Sequence, residues 1–165
     1  MRKLLAILLD KDEEIESVRK NYVPNHDKYE PHITLVYPFE FDNEAKLKDH
    51  IAKSLKGFKP FSISLEGLQK SAKEFYLYLL VKDGKDKVLD LKRKLNGELL
   101  SRFKNLDMPR YIPHLTIGVF ESEKQIEKAI ENVPKIKFES KVSSIALLTI
   151  DDNDSLVSKE YFSLD

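Results

Sequence analysis

PHITL occupies residues 31–35 and PHLTI residues 113–117, so a chain with four histidines sets two of them in nearly the same five-residue phrase. In a strand, successive side chains alternate between faces, so His32 and Thr34 share one face while Ile33 and Leu35 share the other. His114 and Thr116 stand in the same relation to Leu115 and Ile117. Each phrase therefore predicts a strand with an imidazole and a hydroxyl on one side and a core-facing apolar pair on the other. The proline ahead of each histidine enforces an extended approach and withholds a ladder donor, which suits a strand start or a sheet edge at the mouth of a cleft. A second P-H-[IL]-T-[IL] in so short a chain arises by chance on the order of once in several thousand sequences, judged from ordinary residue frequencies. The duplication is therefore the organising feature of the chain.

Working outward, strands are expected over 3–9, 32–37, 60–66, 74–82, 114–120, 135–140, 143–150 and near 158–164. Helices are expected over 12–22, with Asp10 or Asp12 as cap, and over 43–56, 85–104 and 122–132. The order strand, helix, strand, strand that begins at residue 32 recurs from residue 114, which points to two related lobes, each contributing one P-H-x-T strand. No Pro/Gly/Ser-rich linker divides the chain, so a single domain over 1–165 is expected.

The 28 basic side chains equal the 28 acidic ones, so no global positive field draws the protein along nucleic acid. A small nucleotide or a nucleic-acid terminus suits such a surface; a long duplex does not. With no cysteine in the chain, a disulfide scaffold, a thiolate nucleophile, an iron–sulfur cluster and a Cys-type zinc site are excluded. The apolar run Leu4–Leu9 is short and closed by Asp10, and reads as a buried strand rather than a signal peptide or membrane span. A cytoplasmic monomer is the expectation.

Two imidazoles facing one another across a cleft suit proton transfer near neutral pH, one taking a proton from a nucleophile and the other giving one to a leaving group. Two threonine hydroxyls beside them suit the non-bridging oxygens of a tetrahedral anion. Together the four fit phosphoryl transfer without a metal or other cofactor. Neither His32 nor His114 has a carboxylate companion at ligand spacing, and no H-E-x-x-H or H-x-H occurs.

At these residues the chain resembles the 2H phosphoesterases, the 2′-5′ RNA ligase-like and cyclic-phosphodiesterase proteins named for two His-x-Thr/Ser motifs. The wider phrases YEPHITLVYPF at 29–39 and YIPHLTIGVF at 111–120 look most like a bacterial phosphoesterase subgroup. The resemblance implies an α+β, bilobal body with pseudo-twofold symmetry, two antiparallel sheets forming a concave cleft, and helices packed outside. It implies hydrolysis, and in some members reversible ligation, of 2′,3′-cyclic phosphates, 2′-5′ linkages or related cyclic nucleotide phosphates. His32 and His114 would then be acid and base, in an order left open, and Thr34 and Thr116 the phosphate binders. The approach to the second motif, Met108-Pro109-Arg110-Tyr111-Ile112, carries a single arginine, against engagement of long or structured RNA.

Tyr29 and Tyr111 each precede a motif histidine by three positions, where an aromatic ring could stack on a base or anchor the loop. Arg110 is a candidate phosphate partner, with a solvated loop arginine the favoured reading, and Lys73 has the same two readings. His26 reads as a plain loop histidine, and His50 as an exposed helix residue. The Lys/Glu runs at 11–20 and 121–131 read as solvated helix faces. The competing reading of the whole is a binding module that captures a nucleotide or RNA terminus and turns nothing over.

Overall fold

The computed structural model describes residues 1–103 and 110–165. Along the chain lie β1 (Arg2–Leu8), α1 (Glu13–Tyr22), β2 (His32–Phe39), α2 (Glu44–Leu55), β3 (Phe61–Lys70), β4 (Tyr76–Val81) and α3 (Lys85–Leu95). A 3-10 segment at Glu98–Phe103 follows, then β5 (His114–Val119), α4 (Glu123–Asn132), β6 (Lys137–Val142), β7 (Ser144–Ile150) and β8 (Leu156–Ser163). Side-chain caps start three of the helices: Asp12 accepts from the Ile15 N–H, Asn43 from Lys46 and Ser122 from Gln125.

The expected helix over 85–104 stops at Leu95. Asn96 ends it, its side-chain amide donating to the Lys92 carbonyl at 2.8 Å and to the Leu35 carbonyl at 3.0 Å. Gly97 follows. Asn competes with the backbone for hydrogen bonds, so a helical pattern carried through it overruns. Lys104, the last residue of that expected helix, lies outside the described residues, as do Met108 and Pro109.

Among the described residues the strands form two four-stranded antiparallel sheets, ordered β2-β1-β7-β8 and β5-β4-β3-β6. The fold is α+β with pseudo-twofold symmetry, and each motif strand is the edge of its sheet. Overlaying the two orders matches β1 with β4, β2 with β5 and β3 with β7. The repeating unit therefore runs β1-α1-β2-α2-β3 and again β4-α3-β5-α4-β7, the second time with β6 added ahead of β7, rather than as the strand-helix-strand-strand block that sequence order suggests. Each unit hands its last strand to the other sheet: β3 joins β4, and β7 joins β1. Sequence order fixes elements, but which sheet a strand joins is a long-range choice.

The symmetry extends to single residues. Ala6 faces Thr34 while Leu5 faces Val36, so Leu35 is an extra residue in β2; Tyr78 faces Thr116 while Leu77 faces Gly118, so Ile117 is extra in β5. Both motif strands thus bulge immediately after the threonine, which bends the strand and re-aims its side chains. Before each histidine the proline carbonyl accepts a backbone bond, Pro31 from Leu9 at 2.9 Å and Pro113 from Val81 at 3.1 Å. The apolar faces of both motif strands feed one core: Ile33, Leu35, Leu115 and Ile117 are fully buried with Leu5, Ile7, Leu77 and Leu79. The helices cross over, α1 packing on β5 and α3 on β2, while β2 and β5 lie against each other.

His50 is buried rather than exposed, and its Nε2 lies 2.9 Å from the Leu95 carbonyl. Packing of α2 on α3 shelters it, and the end of α3 supplies the acceptor.

Gly84 begins α3 with φ of 77°, and a Cβ there would stand 2.6 Å from the Ser62 carbonyl oxygen. Gly57 has φ of 85° but nothing within 4 Å of such a Cβ. Gly84→Ala is therefore expected to destabilise by about 3 kcal/mol, combining left-handed strain with overpacking, and Gly57→Ala by about 1 kcal/mol. Urea unfolding of the two variants checks this; equal losses would show that crowding at Gly84 contributes nothing.

Candidate active site

His32 and His114 stand half-buried at the first positions of β2 and β5 and line one cavity of about 460 Å³ together with Thr34 and Thr116. That volume lies in the range of small-molecule sites. In both histidines Nδ1 meets the backbone carbonyl two residues earlier, at 2.8 Å for Glu30 and 2.6 Å for Ile112. A carbonyl only accepts, so each Nδ1 carries the hydrogen and Nε2 is left to exchange protons with a ligand. Burial pushes both imidazoles below the usual histidine value, with the backbone bond opposing it in each case. The positive charge of Arg19 lowers His32 further, and that of His32 lowers His114.

Besides Tyr76 of β4 and further residues of β5, the wall comes from α1, from the loop at 23–29 and from the β7–β8 turn, with Arg19, Asn25, Lys28, Tyr29, Asn153 and Asp154. Loop and turn are tied together. Tyr29 donates its hydroxyl hydrogen to the Asp154 carbonyl, Arg2 pairs with the Asp154 carboxylate at 2.5 Å, and Lys159 pairs with Glu30 at 2.6 Å. Arg19 holds the loop from below, donating from Nη2 to the Tyr29 carbonyl at 2.7 Å and to the His26 carbonyl at 3.3 Å.

Of the residues singled out from sequence, the structure brings His32, His114, Thr34, Thr116 and Tyr29 to the cavity. Tyr111 is placed elsewhere: its hydroxyl donates to the Thr34 carbonyl at 2.7 Å and Lys92 sits 4.4 Å from its ring centroid, so it links the two motif strands from outside the cavity. Burial pushes its phenol far up. Arg110 is exposed and does not line the cavity. His26 contributes a carbonyl.

Sequence reading missed Arg19, Tyr76 and Tyr78. Arg19 falls in a run of charges, yet Ile15, Val18, Arg19 and Tyr22 follow the i, i+3, i+4, i+7 pattern of an inward stripe, and the guanidinium is 4% exposed. Tyr76 and Tyr78 alternate with buried Leu77 and Leu79, which puts the rings on the face shared with Thr116. Among the described residues no group of three or more His, Cys, Asp or Glu could together hold a metal ion, and no helix is long and apolar enough to cross a membrane.

The same architecture occurs in solved structures that share little sequence with it. TT0787 of Thermus thermophilus matches with 20% identity, 99% of this chain and 98% of that one covered, and a TM-score of 0.62. E. coli LigT complexed with 3′-AMP matches with 14% identity, 98% coverage of both chains and a TM-score of 0.61. Usb1 of Kluyveromyces marxianus matches with 10% identity, coverage of 99% and 98%, and a TM-score of 0.56. No curated protein matches the chain in sequence. The family model for the 2′-5′ RNA ligase superfamily spans residues 9–154, so both His-x-Thr strands fall inside it, and the chain belongs to that superfamily.

Proposed function

We propose that the protein is a metal-independent phosphoesterase that hydrolyses cyclic nucleotide phosphates, or the 2′,3′-cyclic phosphate and 2′-5′ linkages of RNA ends, with His32 and His114 as the acid–base pair. One observation carries this reading: two histidines from symmetry-related strands, both held through Nδ1 by a backbone carbonyl, line a single cavity beside Thr34 and Thr116. The threonine hydroxyls bind the non-bridging phosphate oxygens, and Nε2 of each histidine serves one end of an in-line displacement. The structures of LigT with 3′-AMP, NADP+ and ATP support a nucleotide as the ligand class. A cavity of about 460 Å³ suits one nucleotide or a chain end.

The test is turnover of 2′,3′-cyclic nucleotides, and of a short RNA ending in a cyclic phosphate, in the presence of EDTA. Hydrolysis is the expected result. Tight binding with no turnover of any of them would favour the capture module instead.

The pH profile gives a further prediction. One histidine must be neutral and the other protonated, and burial lowers both, so kcat/KM should trace a bell centred on the acid side of about 6.5, the unperturbed histidine value. A profile that keeps rising through alkaline pH would remove the protonated histidine from the mechanism.

A further inference from the structure

The acid and the base need not be interchangeable, because the surroundings of the two histidines break the symmetry that their strands obey. The Tyr78 ring lies against the His114 imidazole, with centroids 3.6 Å apart and planes at 23°. At the matching place in the other sheet, beside Thr34, stands Ala6. The aromatic ring nearest His32 in the cavity wall, Tyr29, is 6.2 Å away and tilted at 60°. The buried Arg19 guanidinium lines the cavity that both histidines share, but it is bonded to the Tyr29 carbonyl three residues ahead of His32 and its charge lowers His32 rather than His114. Its carboxylate partner Glu16 sits 3.3 Å away with a far more exposed side chain. In α3, Lys92 follows Leu91 as Arg19 follows Val18, but its ammonium lies over the Tyr111 ring and donates to the Leu35 carbonyl at 3.2 Å.

On the reading of the site as a two-histidine phosphoesterase, we propose that His114 is the proton donor and His32 the proton acceptor in ring opening, with Tyr78 and Arg19 the positioning residues that make them unequal. The face of an aromatic ring is negative and stabilises an imidazolium stacked on it, whereas a buried guanidinium disfavours a second positive charge nearby. Positive charges on the two imidazoles disfavour each other, so the working pair holds one proton, and on this proposal the stacked Tyr78 ring and the Arg19 guanidinium place it on His114. The other groups facing His32 are Lys28 and Asp154, both exposed at the rim and opposite in sign, and Glu30, paired with Lys159. Facing His114 besides His32 and Arg19 is the neutral Tyr76 phenol; the Tyr78 phenol is pushed up to about 12 and stays neutral too.

In the reaction, His32 Nε2 takes a proton from water as the water oxygen bonds to phosphorus. The bond from phosphorus to the ring-closing ribose oxygen breaks, and His114 Nε2 protonates that oxygen. One water is consumed, a phosphomonoester is formed, and exchange with solvent returns the proton from His32 to His114.

The experiment is an NMR titration of the two imidazole Cε1–H signals, assigned with His32→Gln and His114→Gln, in wild type, Tyr78→Leu and Tyr78→Phe. His114 is expected to titrate at the higher pH. Tyr78→Leu should weaken its proton affinity about tenfold and shift the alkaline limb of kcat/KM to lower pH, while Tyr78→Phe, which keeps the ring, leaves both in place. A higher midpoint for His32, or a His114 midpoint indifferent to Tyr78→Leu, overturns the assignment. The titration needs no turnover, so failure to hydrolyse cyclic phosphates would count against the phosphoesterase reading alone.

Discussion

Alanine in place of His32 or His114 is expected to lower turnover of a cyclic nucleotide phosphate by about a thousandfold or more, and the double variant by little beyond either single one. Acid–base groups contribute about 10²- to 10⁴-fold each, but two groups serving one displacement act as a unit, so their losses do not multiply. Each imidazole is fixed by one carbonyl bond and half-exposed to the cavity, so its removal opens space that water can fill without disturbing the core. The measurement is kcat in EDTA for the two single variants and the double one. Wild-type turnover in the double variant would end the two-histidine reading. Stability supplies a control of known sign. Burial holds both folded-state values below the unfolded value of about 6.5, so the unfolded chain binds more protons as pH falls, and the wild type loses stability across that window. Glutamine variants, which cannot titrate, should lose less stability than the wild type between neutral and mildly acidic pH.

The parts of the candidate site legible in the sequence are those encoded by local rules. Alternation along a strand fixed which side of β2 holds His32 and Thr34, and the prolines marked where each motif strand begins. Of the two caps open for the first helix, Asp12 is the one used, its side chain three residues from its donor. What escaped was long-range. The crossing of β3 and β7 between sheets depends on pairings between distant strands, and no local pattern reports it. For Tyr111 the sequence leaves stacking and anchoring both open, because nothing near it announces the Thr34 carbonyl 77 positions away. Arg19 is the most instructive case. Its neighbours are charged and its periodicity is that of a core position, and periodicity wins because one guanidinium can satisfy two loop carbonyls and a carboxylate while buried.

The hydroxyls of Thr34 and Thr116 carry the second large expectation. Valine keeps the β-branched shape and strand preference of threonine and removes only the hydroxyl, and both positions are half-buried on strands whose other face holds the core. Thr34→Val and Thr116→Val should therefore unfold at nearly the wild-type denaturant concentration yet each lose about a hundredfold in kcat, the scale of removing one donor to a developing phosphorane oxygen. KM should move far less, because negative charge on those oxygens grows toward the transition state. The two hydroxyls enter from edges of different sheets, so each can take its own oxygen, and the double variant is expected to lose close to the product of the single losses. That multiplicative pattern differs from the saturating one expected for the histidines. Loss appearing in KM alone would make the threonines ground-state binders, and a double variant no worse than either single one would mean that both hydroxyls serve the same oxygen.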